Sequence, residues 1–298
     1  MPQTAVAESD TGLTLKELAR RHGLSAAGKL PSLSGYSRQL WAYRHFIASY
    51  ANAKVSSSLG KTRLGVFWQV LTPLINAAVY YLIFGIILNT KSGVDNFVAY
   101  LCTGVFIFGF TQSTVSAGIQ AISGNLGLIR ALHFPRASLP LAITMVEIRN
   151  TMASLAVLMV IVLGFGEPIT VEWLLIVPVF LLQAMFNAGL ALTGARLGSK
   201  IPDVRNLIPF LMRMWLYFSA VLYPVTRFTD HLSGWKLQVV EANPMLLFID
   251  LMRHALMEDV PLAADPKVMW LEAIAWTLVV SIGGYVYFWR GEKGYGRG

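Results

Sequence analysis

The sequence predicts an all-α membrane protein, and three observations carry that prediction. Six apolar stretches lie near 67–88, 97–122, 137–164, 173–193, 207–225 and 268–289. Each reaches the roughly 20 residues that an α-helix needs to cross a ~30 Å hydrocarbon layer. Hydrophobic residues make up 55% of the 298-residue chain and charged residues only 13%, with a mean hydropathy of +0.56. Soluble domains carry roughly 25% charge, so a water-soluble fold is excluded. The apolar runs are also uninterrupted, unlike the alternating strands of a barrel, so helices must satisfy the backbone polar groups in lipid.

Counting Lys and Arg by connection orients these spans. Nine precede the first span, two lie between spans two and three, three between four and five, and three follow the sixth. That places seventeen on one side against five on the other, with Arg149 and Arg213 inside spans. The positive-inside bias then puts both termini in the cytoplasm. A net charge of +8 points to an anionic leaflet as partner, not to nucleic acid. The expected organisation is a cytoplasmic tail at 1–35, an amphipathic interface region at 36–60, a transmembrane domain at 61–290 and a cytoplasmic tail at 291–298.

The first sixty residues lack the apolar core and small-residue cleavage site of a secretory signal, so they are expected to be retained. One short amphipathic helix is expected at 13–22, with Leu15, Leu18 and Ala19 on one side. It has no second helix to orient it in a DNA groove, so it reads as a solvated or docking element. From 36 to 50, Tyr36, Trp41, Tyr43, Phe46 and Tyr50 interleave with Arg38 and Arg44, which suits a helix in the headgroup layer. The single cysteine, Cys102, lies within a span and excludes an intrachain disulfide.

Two segments approach the phosphate-loop pattern. Gly23, Gly28 and Lys29 have the spacing, but Leu30 stands where a magnesium-binding hydroxyl belongs. Gly60-Lys61-Thr62 has the lysine and hydroxyl, but Val55 replaces the first glycine. Neither follows a buried strand that would aim the loop, so ATP chemistry is not expected here. The five histidines, at 22, 45, 133, 231 and 254, show no metal-ligand spacing, and no catalytic residues are assigned.

Along the first span, Trp68, Thr72, Asn76, Tyr80 and Phe84 recur every four residues and form one slowly drifting stripe. Rings and small polar groups suit a sliding sugar chain, whose C–H faces stack on aromatics while its hydroxyls exchange water for Thr and Asn. The second span adds Tyr100, Phe106, Phe108 and Phe110, and the fifth adds Phe210, Arg213, Trp215, Tyr217 and Phe218. Ordinary helix packing or an interfacial belt accounts for each ring singly; as a set they are expected to line a channel. Glu147 and Arg149 are costly in lipid unless paired or hydrated, and about 200° of helix separates them, so each needs a partner elsewhere. Glu147 with Arg213 is the natural pair.

Between spans five and six, Asn243-Pro244 reads as an N-cap and first helical residue, opening a helix that runs to about Met257. Fourteen residues span only about 21 Å, so this helix is interfacial or re-entrant on the external side. Asp250, Arg253 and His254 share one of its faces, as a local ion pair or a gate contact.

Leu64-Gly65-Val66-Phe67-Trp68-Gln69-Val70-Leu71-Thr72-Pro73-Leu74 resembles the L-G-x-x-W-x-x-x-x-P-L entry to the first span in permease subunits of ABC exporters for polysaccharides. Phe134-Pro135-Arg136, Val221-Leu222-Tyr223-Pro224 and Asn243-Pro244 match further, and the likeness covers about 36–290. The resemblance implies a half-transporter of a bacterial cytoplasmic membrane. Two copies would line a channel above two separate ATPase subunits that carry the ATP and magnesium, leaving no cofactor on this chain. It places the ATPase contacts at Leu128, Arg130, His133, Phe134 and Arg136, and an external gate at Asn243, Pro244, Asp250 and Arg253. The implied substrate is a glycan on a polyprenyl pyrophosphate, its phosphates met by Arg38, Arg44, Lys54, Lys61 or Arg63. O-antigen, teichoic acid and galactan stay open, with galactan or O-antigen favoured. Lys61-Thr62-Arg63 departs from the arginine, tyrosine and serine pattern common at that site. The competing readings are an ABC permease for drugs or small lipids and a membrane-embedded enzyme of lipid-linked sugars; the latter needs clustered carboxylates or histidines at one face.

Overall fold

The computed structural model describes residue 17 and residues 31–60, 65–88, 94–227 and 234–295. Lys61, Arg63 and the helix expected at 13–22, apart from Glu17, lie outside the described residues. Among the described residues the regular structure is all helical. Its elements are α1 (Leu33–Ala42), α2 (Arg44–Gly60), α3 (Gly65–Tyr80, continued as a π-helix over Tyr81–Ile87), α4 (Phe97–Ile119), α5 (Leu126–Ala131), α6 (Ser138–Gly164), α7 (Ile176–Lys200), α8 (Val204–Phe218), α9 (Trp235–Glu241), α10 (Pro244–Leu256) and α11 (Pro266–Arg290).

Four helical segments among the described residues are long and apolar enough to cross a membrane: Phe97–Ile119, Ser138–Gly164, Val171–Lys200 and Pro266–Arg290. Their ends follow local chemistry. Asn96 caps α4 by accepting from the Ala99 amide at 3.3 Å. Asp265 caps α11 by accepting from Lys267 at 2.8 Å, Pro266 occupies the first turn, and Arg290 sits in the last, where a cation favours the helix dipole.

The first and fifth apolar stretches differ from these four. α3 carries Pro73 internally and changes to π geometry after Tyr80. α8 carries Pro209 and has 15 residues, about 22 Å of helix, short of the ~30 Å core. The fifth stretch, expected to continue to 225, stops because the chain turns at Ala220, where φ is +46°.

α4 is the centre of the bundle, with neighbours in α3, α6, α7, α8 and α10. Seventeen of the 23 residues of α4 are buried, which explains why its sequence is largely apolar on every side. α7 and α11 approach at backbone distance. A Cβ on Gly284 would stand 2.3 Å from the Gly189 carbonyl oxygen, and one on Gly189 would stand 2.4 Å from that of Val280. This is the small-residue packing that lets helices associate without a hydrophobic driving force in lipid. Between α4 and α7, Thr111 donates to Asn187 Oδ1 at 2.8 Å, and Gln183 Nε2 donates to the Ile107 carbonyl at 2.9 Å and to Thr111 at 3.1 Å. These three buried polar side chains fix the register of the two helices.

The expected pair of Glu147 and Arg213 does not form. Glu147 accepts from Asn150 one turn along its own helix, and Arg149 donates to Asn52 of α2. α2 packs on the first half of α6 through Ile47, Ala51, Ala142 and Val146. Ser113 of α4 also bonds the Glu147 carboxyl, so Glu147 is met by α6 and α4 and Arg149 by α2, with no part for Arg213.

Candidate functional site

Two helices leave ring-bearing faces uncovered. On α3, Trp68 is 52% exposed, Thr72 and Asn76 are exposed, and Tyr80 and Phe84 are half-buried against the core. The Thr72 hydroxyl donates to the Trp68 carbonyl at 2.8 Å, so it needs no partner from lipid. On α8, Phe210 is 60% exposed, with Arg213, Tyr217 and Phe218 also exposed and Trp215 half-buried. Both helices rest their other side on α4.

The second-span rings behave differently. Tyr100, Phe106, Phe108 and Phe110 are buried inside the chain. Phe110 stacks on Phe180 at 5.3 Å, and Phe108 meets Trp215 edge-on at 6.3 Å. This corrects the expectation that they line a channel. α4 is enclosed on all sides, so its rings fill the core.

At one end of the bundle α1 and the turn after α11 meet the connection before α6. α1 and α2 are two helices that break at Tyr43, with Arg38, Trp41, Arg44 and Lys54 all exposed. Arg44 sits over Trp41 at 5.4 Å and Lys54 over Tyr50 at 5.8 Å. In the connection, Arg130 and His133 are exposed and Leu128 is half-buried. Phe134 is buried against Phe46, with ring centroids 4.9 Å apart. This corrects its assignment as a contact for another subunit; it anchors the connection on α2 instead. Arg136 donates through its backbone to Glu292 Oε1 at 3.0 Å, and Tyr36 donates to Oε2 at 2.8 Å. Burial pushes the Glu292 carboxyl above the usual range and raises the Tyr36 phenol, while the bonds from Arg136 and Tyr36 pull Glu292 back.

At the opposite end, α10 is a core element. Eleven of its 13 residues are buried, and it packs among α4, α7 and α11. Asn243 caps it by accepting from Met245 at 3.1 Å, and the same side chain holds the end of α8, donating to the Phe218 carbonyl at 2.9 Å and accepting from Trp215 at 2.8 Å. Asp250 and Arg253 form a buried pair at 3.0 Å, and Arg253 also donates to the carbonyls of Tyr100, Ala220 and Val221. This corrects their assignment to an external gate, because neither side chain reaches the surface. His254 turns away from the pair and lines an open cleft with Thr170, Glu172, Glu258 and Asp259.

Sequence reasoning missed Glu292, Gln183 and Asn187. The last two stand one turn apart in an otherwise apolar run, which is a readable signal of an inward-facing polar contact. Glu292 carries no such signal, being one charge in a polar tail.

Four apolar helices of membrane-crossing length, packed with shorter helices in one bundle, define a multi-pass membrane protein. The chain belongs to the ABC-2 type transporter membrane family, whose model matches residues 50–257. It is similar to the O-antigen export system permease protein RfbA of Myxococcus xanthus, at 24% identity over 209 residues, covering 70% of this chain and 79% of the relative. Two proteins of the same description from Klebsiella pneumoniae match at 24% identity over 187 residues, covering 62% of this chain and 70% of the relative, and at 23% over 197 residues, covering 66% and 74%.

Proposed function

We propose that this chain is the transmembrane subunit of a transporter that exports a lipid-linked polysaccharide, of O-antigen or galactan type, across a bacterial cytoplasmic membrane. The observation that carries the reading is the uncovered ring-and-hydroxyl face of α3 and α8 in a chain similar to O-antigen export permeases. Two copies place these faces toward each other, with α3 and α8 completing six spans and both termini in the cytoplasm. ATP and magnesium bind two separate ATPase subunits, which press on Leu128, Arg130 and His133. The exposed Arg38, Arg44 and Lys54 meet the phosphates of the carrier lipid and of anionic headgroups. Closure of the ATPases shifts these cytoplasmic elements as rigid bodies and opens the seam.

Depleting the protein tests the reading. A lipid-linked glycan is expected to accumulate inside the cell, and its absence there would overturn the assignment.

The aromatic wall has its own test. Changing Trp68, Tyr80 and Phe84 together to Ala removes three ring contacts of about 0.5–1.5 kcal/mol each and is expected to lower export roughly tenfold or more. The ATPase subunit should still copurify. Export at the original rate would show that the glycan takes another route.

A further inference from the structure

Glu292 joins three segments that the sequence keeps far apart. Its Oε2 accepts from Tyr36 of α1 and its Oε1 from the Arg136 amide, 256 and 156 residues away. The Tyr36 oxygen in turn accepts from the Ala137 amide at 3.1 Å, and the Arg136 guanidinium donates to the Glu292 carbonyl at 2.9 Å. The amides of Arg136 and Ala137 stand just before α6, where helix geometry leaves N–H groups without partners and favours a negative charge. α1 and the C-terminal turn supply both acceptors.

The carboxylate is rigidly attached to α11. Tyr295 stacks on Phe288 at 4.6 Å and donates to the Phe288 carbonyl at 3.0 Å, which folds the turn carrying Glu292 back on its helix. α1 is also held on α11 without help from Glu292, by hydroxyls of Ser37 and Tyr285 that lie 2.8 Å apart and by Trp289, which donates to the Pro31 carbonyl at 3.1 Å. Glu292 thus adds one specific link, from the α1–α11 pair to the connection before α6.

Two acceptors are required at that link. A glutamine offers one oxygen and one NH2 group, and the NH2 would confront either the Arg136 amide or a hydroxyl that already accepts from Ala137. Glu292 is only 8% exposed, so water cannot repair the mismatch.

We infer that Glu292 is a positioning residue for the ATPase-facing connection, clamping it through Tyr36 to α1 and α11 so that a push on the connection moves all three as one body. This rests on the coupling role proposed above for that connection.

The test uses the complete complex of this chain with its ATPase subunit in proteoliposomes, reading glycan exported per ATP hydrolysed. Glu292→Gln and Tyr36→Phe are each expected to leave assembly intact and ATP hydrolysis within about twofold, while export per ATP falls about fivefold or more. The double variant should lose less than the product of the two single effects, since both singles break the same Tyr36–Glu292 bond, while Tyr36→Phe also takes the acceptor from the Ala137 amide. An unchanged ratio in Glu292→Gln overturns the clamp. A second arm needs no loss of contacts. Ser37→Cys and Tyr285→Cys, joined by a short bis-maleimide, should export normally because α1 and α11 move together, and a block on cross-linking also overturns the clamp. A wild-type complex that exports no glycan, or a lone chain that hydrolyses ATP, would instead sink the transport reading, and neither arm of the clamp test produces that result.

Discussion

Arg253→Met is expected to destabilise this protein by about 3–5 kcal/mol, the usual result of leaving one partner of a buried ion pair alone. Folded proteins are stable by only about 5–15 kcal/mol, so much of the chain should fail to accumulate in the membrane. The guanidinium and the Asp250 carboxylate are both fully buried. Its Nη1 serves Asp250 at 3.0 Å, while Nη2 serves the carbonyls of Ala220 at 3.0 Å and of Tyr100 and Val221 at 3.3 Å. The guanidinium carbon also stands 3.3 Å from the Tyr100 ring centre. Removing it takes the counter-charge from a buried carboxylate, leaving Asp250 the Ala263 amide at 3.1 Å, and takes a charged donor from three carbonyls together. The Asp250→Asn/Arg253→Met double variant should recover only part of the loss, because neutralising position 250 removes the charge but does not restore the donor that the Ala220 and Val221 carbonyls lose. Lysine should not substitute, as its compact ammonium lacks the planar fork that reaches α4, α10 and the turn after α8 at once. The monodisperse fraction in detergent and the thermal unfolding midpoint measure this. A midpoint for Arg253→Met equal to that of the wild type would show that the pair does not hold the end of the bundle.

Gly284→Val should be nearly as damaging, and its neighbour provides the control. A Cβ at Gly284 meets the Gly189 carbonyl oxygen at 2.3 Å and carbon at 2.9 Å, backbone atoms that cannot move unless α7 and α11 separate. Overpacking of this kind costs about 1–3 kcal/mol, and the β-branched side chain adds to it by forcing the two helices apart along their contact. At Gly283 a Cβ meets nothing within 4 Å. Gly283→Ala should therefore be neutral or stabilising by up to about 1 kcal/mol, since alanine favours helix over glycine. The same detergent assay separates them. Equal behaviour of the two variants would contradict the close packing of α7 on α11.

The contrast between these neighbours marks how far the sequence could be read. Helices at 97–119, 138–164, 176–200 and 266–290 were legible because a long apolar run in lipid has few alternatives to a helix. The start of α10 was legible because Asn243-Pro244 is a local signal, and the geometry has the asparagine cap. The depth of α10 was not. Its length excludes a crossing, yet nothing local distinguishes a helix lying on the membrane from one enclosed among α4, α7 and α11. The rings at 100, 106, 108 and 110 failed for a related reason: α4 is apolar on every face, so periodicity could not say which face met another helix. That Arg149 meets Asn52 was illegible because nothing local signals that α2 packs along the first half of α6.

By itself the sequence determined that this chain is a helical membrane protein, where most of its long helices lie, and that Trp68, Thr72 and Asn76 share one stripe. Tertiary structure alone decided which stripes stay uncovered, which charges pair, and that Glu292 and Arg253 tie distant segments together at opposite ends. The reason is physical: crossing lipid depends on composition over about 20 consecutive residues, whereas a buried hydrogen bond depends on the meeting of groups that lie 101 to 256 positions apart at the Glu292 end.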